Sequence, residues 1–381
     1  MTTMAIDNKD KKVLNVPHLR FPEFSGEWKK HSLGEIGETI IGLTYKPSDV
    51  VDNNGIIVFR SSNIKNGMID YSDLVRVNKH IKDKIITKEN DILVCARNGS
   101  QRLIGKNAII KQEDANNTFG AFMMVYRAND NPFILPLLST KKYFSQVGEN
   151  LGARINQITT SDFNGFEFYF PENHAERTKI AELFRLLDER IATQNKIIEK
   201  LQSLIKGLAV ALTTKEKANI AISQCLECHS STLQESEVLS SGLCKVFGAN
   251  GLVGYKDVPQ MNGDAILVIK DGSGVGTVSY AQGKFSVIGT LNYLTVIGNN
   301  DLRYLYFALS VFNFQPYKTG MAIPHIYFKD YGKAKIYCPS LAEQKRVANV
   351  LDKLESKLFV EQELLASFNQ QKLYLLGKMF I

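Results

Sequence analysis

Cys225, Cys228 and His229 stand at a spacing that could bind a haem or a metal ion. Their Cys-x-x-Cys-His order matches c-type haem attachment, but that chemistry belongs to exported proteins, and the polar start of this chain lacks the apolar core of a secretory signal. With Cys244 the set also contains zinc-ligand residue types, although the second ligand pair of a usual zinc site is missing. We therefore expect ordinary thiols and no metal site.

Two further motifs are typical of enzymes but incomplete. Gly272, Gly274 and Gly276 follow an apolar run, as a phosphate-binding loop would, yet residues 277–280 predict another strand where such a loop requires a helix. We interpret these glycines as a tight turn. Asn131-Pro132-Phe133 resembles the Asn-Pro-Pro-aromatic motif of adenine methyltransferases, but the second Pro is absent. Because the sequence also lacks a P-loop, we predict a binding protein and not an enzyme.

The composition is that of a well-packed globular protein with a modest positive charge. Hydrophobic residues make up 44% and charged residues 22% of the 381 residues, and 46 Lys and Arg against 39 Asp and Glu give a net charge of +7. This charge permits nucleic-acid binding without requiring it. No apolar run reaches the roughly 18 residues of a membrane span. We expect a cytosolic, cytoplasmic protein whose cysteines, including Cys95 and Cys338, stay reduced.

The sequence repeats itself at a distance of 168 residues. Residues 152–171 align without a gap with residues 320–339, so that GARINQI stands beside GMAIPHI and each block closes on a Pro. After one dropped residue, residues 176–181 align with residues 343–348. A solenoid repeats every 20–50 residues or so. This much longer period indicates a duplicated domain together with its linker.

A long helix with coiled-coil spacing is predicted after each repeated block. Apolar positions recur alternately four and three residues apart, the spacing of a helix–helix interface. The predicted interface positions are Ile180, Phe184, Leu187, Ile191, Gln194, Ile198 and Leu201 in the first helix, and Val347, Leu351, Leu354, Leu358, Glu361, Leu365 and Phe368 in the second. Each helix could pack on its own domain, but two matched helices favour packing on each other. If a pseudo-two-fold axis relates the halves, the helices run antiparallel and the polar Gln194 and Glu361 could meet and fix the register.

The remaining segments predict two domains rich in strands. Apolar runs bounded by turn residues predict strands over residues 56–59, 91–94, 121–126, 265–269, 276–280 and 293–297, and one helix is expected in each half, over residues 134–147 and 302–312. The fold class is α+β, with two mixed α/β domains in a pseudo-two-fold arrangement, each followed by a long helix, and the two helices in an antiparallel coiled coil. The predicted boundaries are a tail over residues 1–16, a domain over 17–172, a helix over 173–212, a linker and domain over 213–340, and a helix over 341–381.

This order of domains and helices resembles the specificity subunits of type I restriction-modification enzymes, the HsdS family, over nearly the whole chain. Residues 17–24 (PHLRFPEF) and 28–37 resemble the family's lead-in to the first target-recognition domain. The Gly-x-x-Ile-x-x-Ile spacing, the closing Pro and the helix starts at Glu176 and Glu343 resemble its domain ends. The duplication of these signals at a fixed offset makes the resemblance specific.

The resemblance implies a non-catalytic subunit of a DNA adenine methyltransferase and endonuclease that serves in phage defence. Each recognition domain would read one half of a bipartite site in double-stranded DNA, and the paired helices would set the number of unread bases between the halves. The helices would also dock two methylation subunits, and two restriction (motor-nuclease) subunits would join them. This chain would carry no cofactor, because S-adenosylmethionine belongs to the methylation subunits and ATP and Mg²⁺ to the restriction subunits.

Simple geometry agrees with this role. Half-sites on one face of B-DNA lie about 34 Å apart, and a helix of about 30 residues spans roughly 45 Å. Two unlike domains predict an asymmetric split site, whereas a true homodimer would read a palindrome.

Candidate base-reading residues are then the Arg, Lys, Asn and Gln side chains in loops that follow strands. Arg and Lys suit guanine, and Asn and Gln suit adenine. The candidates are Arg60, Ser62, Asn63, Arg97, Asn98, Gln101, Arg102, Arg154, Asn156 and Gln157 in the first domain, and Asn250, Tyr255, Lys256, Lys270, Ser273, Asn292, Lys318 and His325 in the second. Lys65, Lys106, Lys141 and Lys142 could meet phosphates, which positions DNA without reading it. Any one of these side chains could instead hold a loop together.

Two other functions stay open from the sequence. A free-standing DNA-modifying enzyme would need a cofactor motif and would show activity as a lone purified chain. A scaffold that pairs proteins through its coiled coil would give a complex without salt-dependent DNA binding.

Overall fold

Each half of the chain contains an antiparallel four-stranded sheet with the same strand order, as expected for a duplicated domain. The computed structural model describes residues 15–151 and 156–381. It divides into a first unit, which contains the chain up to Thr193 together with Leu365–Ile381, and a second unit, Gln194–Leu364. Among the described residues, none of the helices is both long and apolar enough to cross a membrane.

The first unit is built from short strands followed by helices. Its strands are β1 (Lys29–Ser32), β2 (Glu38–Ile41), β3 (Val50–Val51), β4 (Ile56–Phe59), β5 (Ile64–Lys65), β6 (Met68–Ile69), β7 (Arg76–Val77), β8 (Ile92–Cys95), β9 (Asn107–Ile109), β10 (Thr118–Phe119), β11 (Met123–Arg127) and β12 (Glu167–Phe170). Its helices are α1 (Leu33–Ile36), α2 (Asn131–Leu137), α3 (Lys141–Leu151), α4 (Thr160–Asn164) and the first part of α5 (His174–Thr213).

Two four-stranded sheets form the body of the first unit. One is antiparallel with the order β2-β11-β8-β9, and the other has the order β10-β4-β7-β3, in which β10 and β4 run parallel. Strand β8 is buried throughout: Ile92 and Val94 belong to the core on the helix side, and Leu93 and Cys95 to the core towards the other sheet. A strand buried on both faces reads as a continuous apolar run, which is why the sequence shows no alternation there.

The second unit repeats this plan. Its strands are β13 (Ile220–Ala221), β14 (Leu226–Ser230), β15 (Cys244–Gly248), β16 (Gly251–Lys256), β17 (Met261–Asn262), β18 (Ala265–Ile269), β19 (Val278–Ala281), β20 (Lys284–Val287), β21 (Leu291–Val296) and β22 (Lys335–Ile336), and its helices are α6 (Ile222–Cys225), α7 (Leu302–Ser310), α8 (Phe328–Tyr331) and most of α9 (Leu341–Met379). The antiparallel sheet β14-β21-β18-β19 corresponds to β2-β11-β8-β9 of the first unit. The sheet β16-β15-β20-β17 again contains one parallel pair, β15 and β20. The predicted α+β class, two strand-rich domains each followed by a long helix, is confirmed.

The structure moves some predicted element boundaries. The single helix expected over residues 134–147 is two helices, α2 and α3, because Pro136 lies near the end of α2 and the Thr140 hydroxyl accepts a hydrogen bond from the Tyr143 amide at the start of α3 (3.3 Å). The strand expected from residue 121 begins at Met123, since the Met123 amide bonds to the Gly120 carbonyl in a turn (2.8 Å). Phe122 therefore lies in the turn and not in the strand.

In the first unit, buried polar contacts tie the start of α5 to the domain. Arg20 donates two hydrogen bonds to the Glu176 carboxylate (2.7 Å each), and the Trp28 indole donates a third (3.3 Å). Glu176 is fully buried, so these donors replace the water that its charge has lost. Arg177 pairs with Asp130, the residue before α2 (3.0 Å).

In the second unit, different residues form the corresponding attachment of α9. The buried Gln344 accepts a hydrogen bond from the backbone of Asp301, the N-cap of α7 (2.8 Å), and donates one to the Pro339 carbonyl (2.8 Å). Arg303 on α7 forms ion pairs with Asp352 and Glu355 on α9. The attachment is preserved between the units while its chemistry has changed.

Within each unit, segments of the two long helices pack antiparallel. In the first unit Phe184 packs on Phe380 (ring centroids 5.6 Å apart), and Lys372 forms an ion pair with Asp188. In the second unit the Gln194 amide donates to the Glu361 carboxylate (2.6 Å) and to its backbone carbonyl (3.0 Å). Each of the fourteen positions predicted for the helix interface is buried or half-buried.

We predict that Glu361 makes the second unit sensitive to acid. The hydrogen bond from Gln194, and after it that from Lys357, holds the pKa of Glu361 below its usual value. A carboxyl with a lowered pKa in the folded state stabilises the fold above its ordinary pKa, and this contribution is lost as the pH falls. The free energy of unfolding, measured in urea between about pH 7 and pH 3, should therefore fall less for Glu361→Gln than for the parent chain. The exposed Glu363 provides the control, and an equal effect of Glu363→Gln would contradict the assignment.

Candidate nucleic-acid interface

In the first unit, the loop after β8 joins the segment that follows the repeated Gly-x-x-Ile block. Arg97 and Gln157 form an isolated antiparallel bridge, and the Ile158 amide bonds to the Ala96 carbonyl (2.9 Å). The Asn156 side chain donates to the Gly99 carbonyl (3.1 Å). Four predicted base-reading residues, Arg97, Asn98, Asn156 and Gln157, thus lie on one surface at the end of the central sheet.

Asn98 connects this surface to the loop that follows β4. Its amide nitrogen donates to the Ser61 hydroxyl (2.9 Å), and its carbonyl oxygen accepts from the Ser100 amide (2.9 Å). Both ends of the side chain are therefore occupied, which favours a role in shaping the loop. Ser62, Arg97, Gln101 and Arg102 remain exposed around it.

Phe122 is a member of this surface that sequence reasoning missed. Its carbonyl accepts hydrogen bonds from the Ala96 and Arg97 amides (3.0 Å each), and the Arg97 guanidinium carbon lies 5.2 Å from the centre of its ring. The ring is 60% exposed. Stacking on an aromatic ring orients a guanidinium group and reduces its freedom before it binds anything. The signal in the sequence is Gly120, which ends the preceding strand and places Phe122 in a turn.

Two predicted base readers lie in the interior. Asn63 is fully buried: its carbonyl oxygen accepts from the Arg60 amide (2.9 Å), and its nitrogen donates to the carbonyls of Asp70 (3.0 Å) and Asp73 (2.8 Å). Asn292 is buried in β21 and accepts from the Ser230 hydroxyl (2.9 Å). The structure thus corrects both assignments, because base reading requires exposed polar groups and these side chains satisfy backbone and side-chain partners inside the fold.

Several other predicted cations already have partners. Arg60 forms an ion pair with Asp73 (2.8 Å), and Lys65 forms one with Asp70 (2.9 Å). Lys142 lies over the Tyr169 ring, and burial lowers its pKa. Lys141 is exposed and Lys106 half-buried. Arg154 lies outside the described residues.

The second unit builds a corresponding surface from different side chains. Asp271 bridges to His325, the Gly272 amide bonds to the Pro324 carbonyl (2.9 Å), and the Ile326 amide bonds to the Lys270 carbonyl (2.9 Å). The loop after β18 therefore meets the segment after the second Gly-x-x-Ile block, as the loop after β8 does in the first unit. This contact brings the predicted readers Lys270, Ser273, Lys318 and His325 into one region.

Glycines shape the loop after β18 as the predicted tight turn. The Val275 amide bonds to the Gly272 carbonyl (3.1 Å), and the chain then enters β19. Gly276 has φ +88°, and a Cβ there would lie 2.9 Å from that of Phe314. The loop therefore needs glycine at this position.

The remaining predicted readers of the second unit lie on its other sheet. Asn250 is exposed in the turn between β15 and β16. Tyr255 and Lys256 are half-buried at the end of β16, where Tyr255 exchanges two backbone hydrogen bonds with Leu239 (2.8 and 2.9 Å).

The metal and methyltransferase motifs have structural explanations in the described residues. There, no group of three or more His, Cys, Asp or Glu side chains is placed to hold a metal ion. Burial raises the pKa of Cys228 to about 11, so this thiol is protonated at neutral pH. Asn131 is buried and its amide donates to the carbonyls of Asn90 and Tyr126 (2.8 Å each), which fixes the start of α2.

Sequence comparison identifies relatives with one named role. The family model described as "Type I restriction modification DNA specificity domain" matches residues 25–203 and 229–370. The chain is similar to the type I restriction enzyme StySPI specificity subunit of Salmonella potsdam, with 25% identity over 62% of this chain and 56% of that protein. It is similar to the type I restriction enzyme EcoKI specificity subunit of Escherichia coli K12, with 26% identity over 49% of this chain and 41% of that protein. The chain spans about half the length of these curated relatives.

Structural comparison gives matches along nearly the whole chain. The S subunit of a type I restriction-modification system from M. genitalium superposes with a TM-score of 0.66 at 19% identity, covering 96% of this chain and 99% of that one. A chain from work on complex assembly and conformational transition of the type I R-M system superposes with a TM-score of 0.50 at 15% identity, covering 92% of this chain and 97% of that one. These likenesses show a shared fold.

We predict that Asn63→Ala destabilises the first unit by about 1–3 kcal/mol, because it leaves buried backbone groups without partners. Urea unfolding of this variant and of the neighbouring exposed variant Ser62→Ala gives the test, and Ser62→Ala should stay within about 0.5 kcal/mol of the parent chain. A fully stable Asn63→Ala protein would return Asn63 to the candidate base readers.

Proposed function

The chain belongs to the type I restriction-modification DNA specificity family, and we propose that it selects the DNA target of such a complex without catalysing a reaction. It reads an asymmetric bipartite site in double-stranded DNA, one half with each unit. The observation that carries this proposal is the repeated construction of one surface. In both units the loop after the central buried strand pairs with the segment that follows the repeated Gly-x-x-Ile block.

The two surfaces present different chemistry, which supports an asymmetric target. The first unit offers Arg97 stacked on Phe122, a planar donor suited to the O6 and N7 acceptors of guanine. The second unit offers Lys270, Lys318 and a glycine-rich turn in place of the stacked arginine. Two units with one fold and different side chains on their reading surfaces would read two different half-sites.

The long helices support a role in spacing the half-sites. Helix α5 has 40 residues and α9 has 39, so each is about 60 Å long at 1.5 Å per residue. One turn of B-DNA is about 34 Å. Helices of this length are sufficient to separate two reading surfaces by one turn, with several unread bases between the half-sites.

Exposed apolar side chains on α9 support the docking of partner subunits on the helices. In the second unit Phe359 and Val360 are each 61% exposed, and Val350 and Leu364 are also exposed. Apolar surface on an ordered helix is typical of a protein interface. We assign it to the methylation subunits, which would bring S-adenosylmethionine, with two copies per complex. Two restriction subunits would add ATP- and Mg²⁺-dependent translocation and cleavage.

Methylation mapping tests the target-selection role. The chain is produced with its cognate methylation subunit in cells that lack other adenine methylation, and modified adenines are located across the genome. We expect one asymmetric motif of two short blocks around a fixed gap. Arg97→Ala should reduce the preference for the correct base in one block by about tenfold to a hundredfold, since a bidentate contact to guanine is worth about 1–3 kcal/mol of discrimination. Lys82→Ala, an exposed cation of the same unit, should leave both blocks unchanged.

Other mapping results point elsewhere. A soluble assembled complex that methylates no motif, and whose DNA binding is independent of salt, would favour a scaffold. Methylation by the lone purified chain would favour a free-standing enzyme.

We predict that Phe359→Ser combined with Val360→Ser weakens binding of the methylation subunit at least tenfold, because buried apolar anchors dominate interface energies. Titration of the purified partner by calorimetry measures the change. Val258→Ser, at a residue that is 76% exposed outside the helices, is the matched control. Unchanged affinity of the double variant, with its fold intact, would contradict this docking surface.

A further inference from the structure

Residues 319–325 of the second unit form a short hairpin with an apolar tip. The Thr319 amide bonds to the His325 carbonyl (2.9 Å), and the His325 amide bonds back to the Thr319 carbonyl (2.8 Å). Between them Met321 is fully exposed, at 106% of its reference area, and Ile323 is 66% exposed. Ala322 is also exposed, so three consecutive apolar residues face solvent.

Backbone hydrogen bonds and a tight turn order the hairpin, so the exposure of its apolar side chains is not that of an unstructured loop. Gly320 has φ +89°, and a Cβ there would lie 2.3 Å from the Ile323 carbonyl oxygen, so the turn is tight and specific to glycine. The backbone bonds from Gly272 to Pro324 and from Ile326 to Lys270 fix the hairpin to the loop after β18. An ordered backbone thus presents side chains that contribute little to the core of their own unit.

The surroundings of the tip favour a nucleic acid as its partner. Lys318 precedes the hairpin, Lys270 lies in the loop to which it is fixed, and Lys329 lies over the ring of Tyr327 (5.1 Å) just after it. Cations beside an apolar tip match the edge of a DNA groove, where phosphates line the rim and bases form the floor.

Only one apolar group stands on the floor of the major groove. Guanine, cytosine and adenine present hydrogen-bonding atoms there, whereas thymine adds the methyl group on C5. Met and Ile side chains lack a strong hydrogen-bonding group, so in this groove the methyl group is the feature they can distinguish.

We propose that Met321 and Ile323 contact the 5-methyl group of a thymine in the half-site read by the second unit. This inference rests on the proposed function and deepens it. The hairpin supplies an apolar contact beside the polar readers Lys270, Ser273 and Lys318. Through this contact, the affinity for the second half-site depends on a methyl group that forms no hydrogen bonds.

Replacement of thymine by deoxyuridine tests the contact, because it removes only the methyl group. The assembled complex with the methylation subunit is titrated with duplexes of the mapped target in which each thymine of the second half-site is replaced in turn. At one position the parent complex should bind the deoxyuridine duplex about fourfold more weakly, the value of one buried methyl group. Met321→Ala or Ile323→Ala should weaken binding to the thymine duplex by a similar factor and lose this discrimination.

Val296→Ala provides the matched control, since Val296 is an exposed apolar residue at the opposite end of β21 from the reading loops. It should keep the full discrimination. Equal binding of thymine and deoxyuridine duplexes by the parent complex, or full discrimination by the Met321→Ala and Ile323→Ala variants, would overturn the inference. Loss of the methylation subunit from either variant would also overturn it, in favour of a protein contact.

Failure of the proposed function would look different. The parent complex would then bind the mapped duplex no better than an unrelated duplex of equal length. Selective, salt-dependent binding together with indifference to deoxyuridine would remove only the thymine contact.

Discussion

The central strand of each unit must be covered on both faces, and this requirement decides where the other elements can lie. In β8 and β18 every residue is buried, and alternate side chains enter two separate cores. A second sheet covers one face, and helices, including the start of a long one, cover the other. With both faces occupied, the loops at the strand ends are the part of the sheet left free to bind a ligand. The two candidate reading surfaces lie there, next to the most buried strand of their unit, so their backbones are well supported.

The attachment of the long helices shows how the duplicated units have diverged. A buried carboxylate with an arginine and an indole as donors holds α5 in the first unit, whereas an amide that binds backbone groups holds α9 in the second. The attachment therefore tolerates a buried carboxylate or a buried amide at the start of the long helix, provided that each buried polar atom has a partner. The reading loops have diverged within the same limits, since their backbone pairings persist while a stacked arginine in one unit is replaced by lysines and glycines in the other.

Periodicity and repetition in the sequence predict the long-range plan well. The offset of 168 residues predicts the shared topology, and the four-three spacing predicts the helix interface, including the contact between Gln194 and Glu361. Individual loop residues are predicted less well, because their roles depend on neighbours distant in sequence. Asn63 has the residue type of a base reader, but it binds carbonyls seven and ten residues further on. Phe122 has the residue type of a core side chain, and the turn at Gly120 places it outside. Residue type alone cannot distinguish these cases.

The first unit is discontinuous, and this affects the order in which the chain can fold during synthesis. Leu376, Met379 and Phe380 belong to the same core as Trp28 and Phe133, yet the ribosome makes all of Gln194–Leu364 before it reaches them. At about 5–20 residues per second this interval is on the order of ten seconds or more. Throughout it the second unit can fold, while the apolar face of the first that receives these side chains stays open. A nascent chain of this kind exposes an apolar surface until residues 376–380 emerge from the ribosome. We expect chaperones to bind it at that stage.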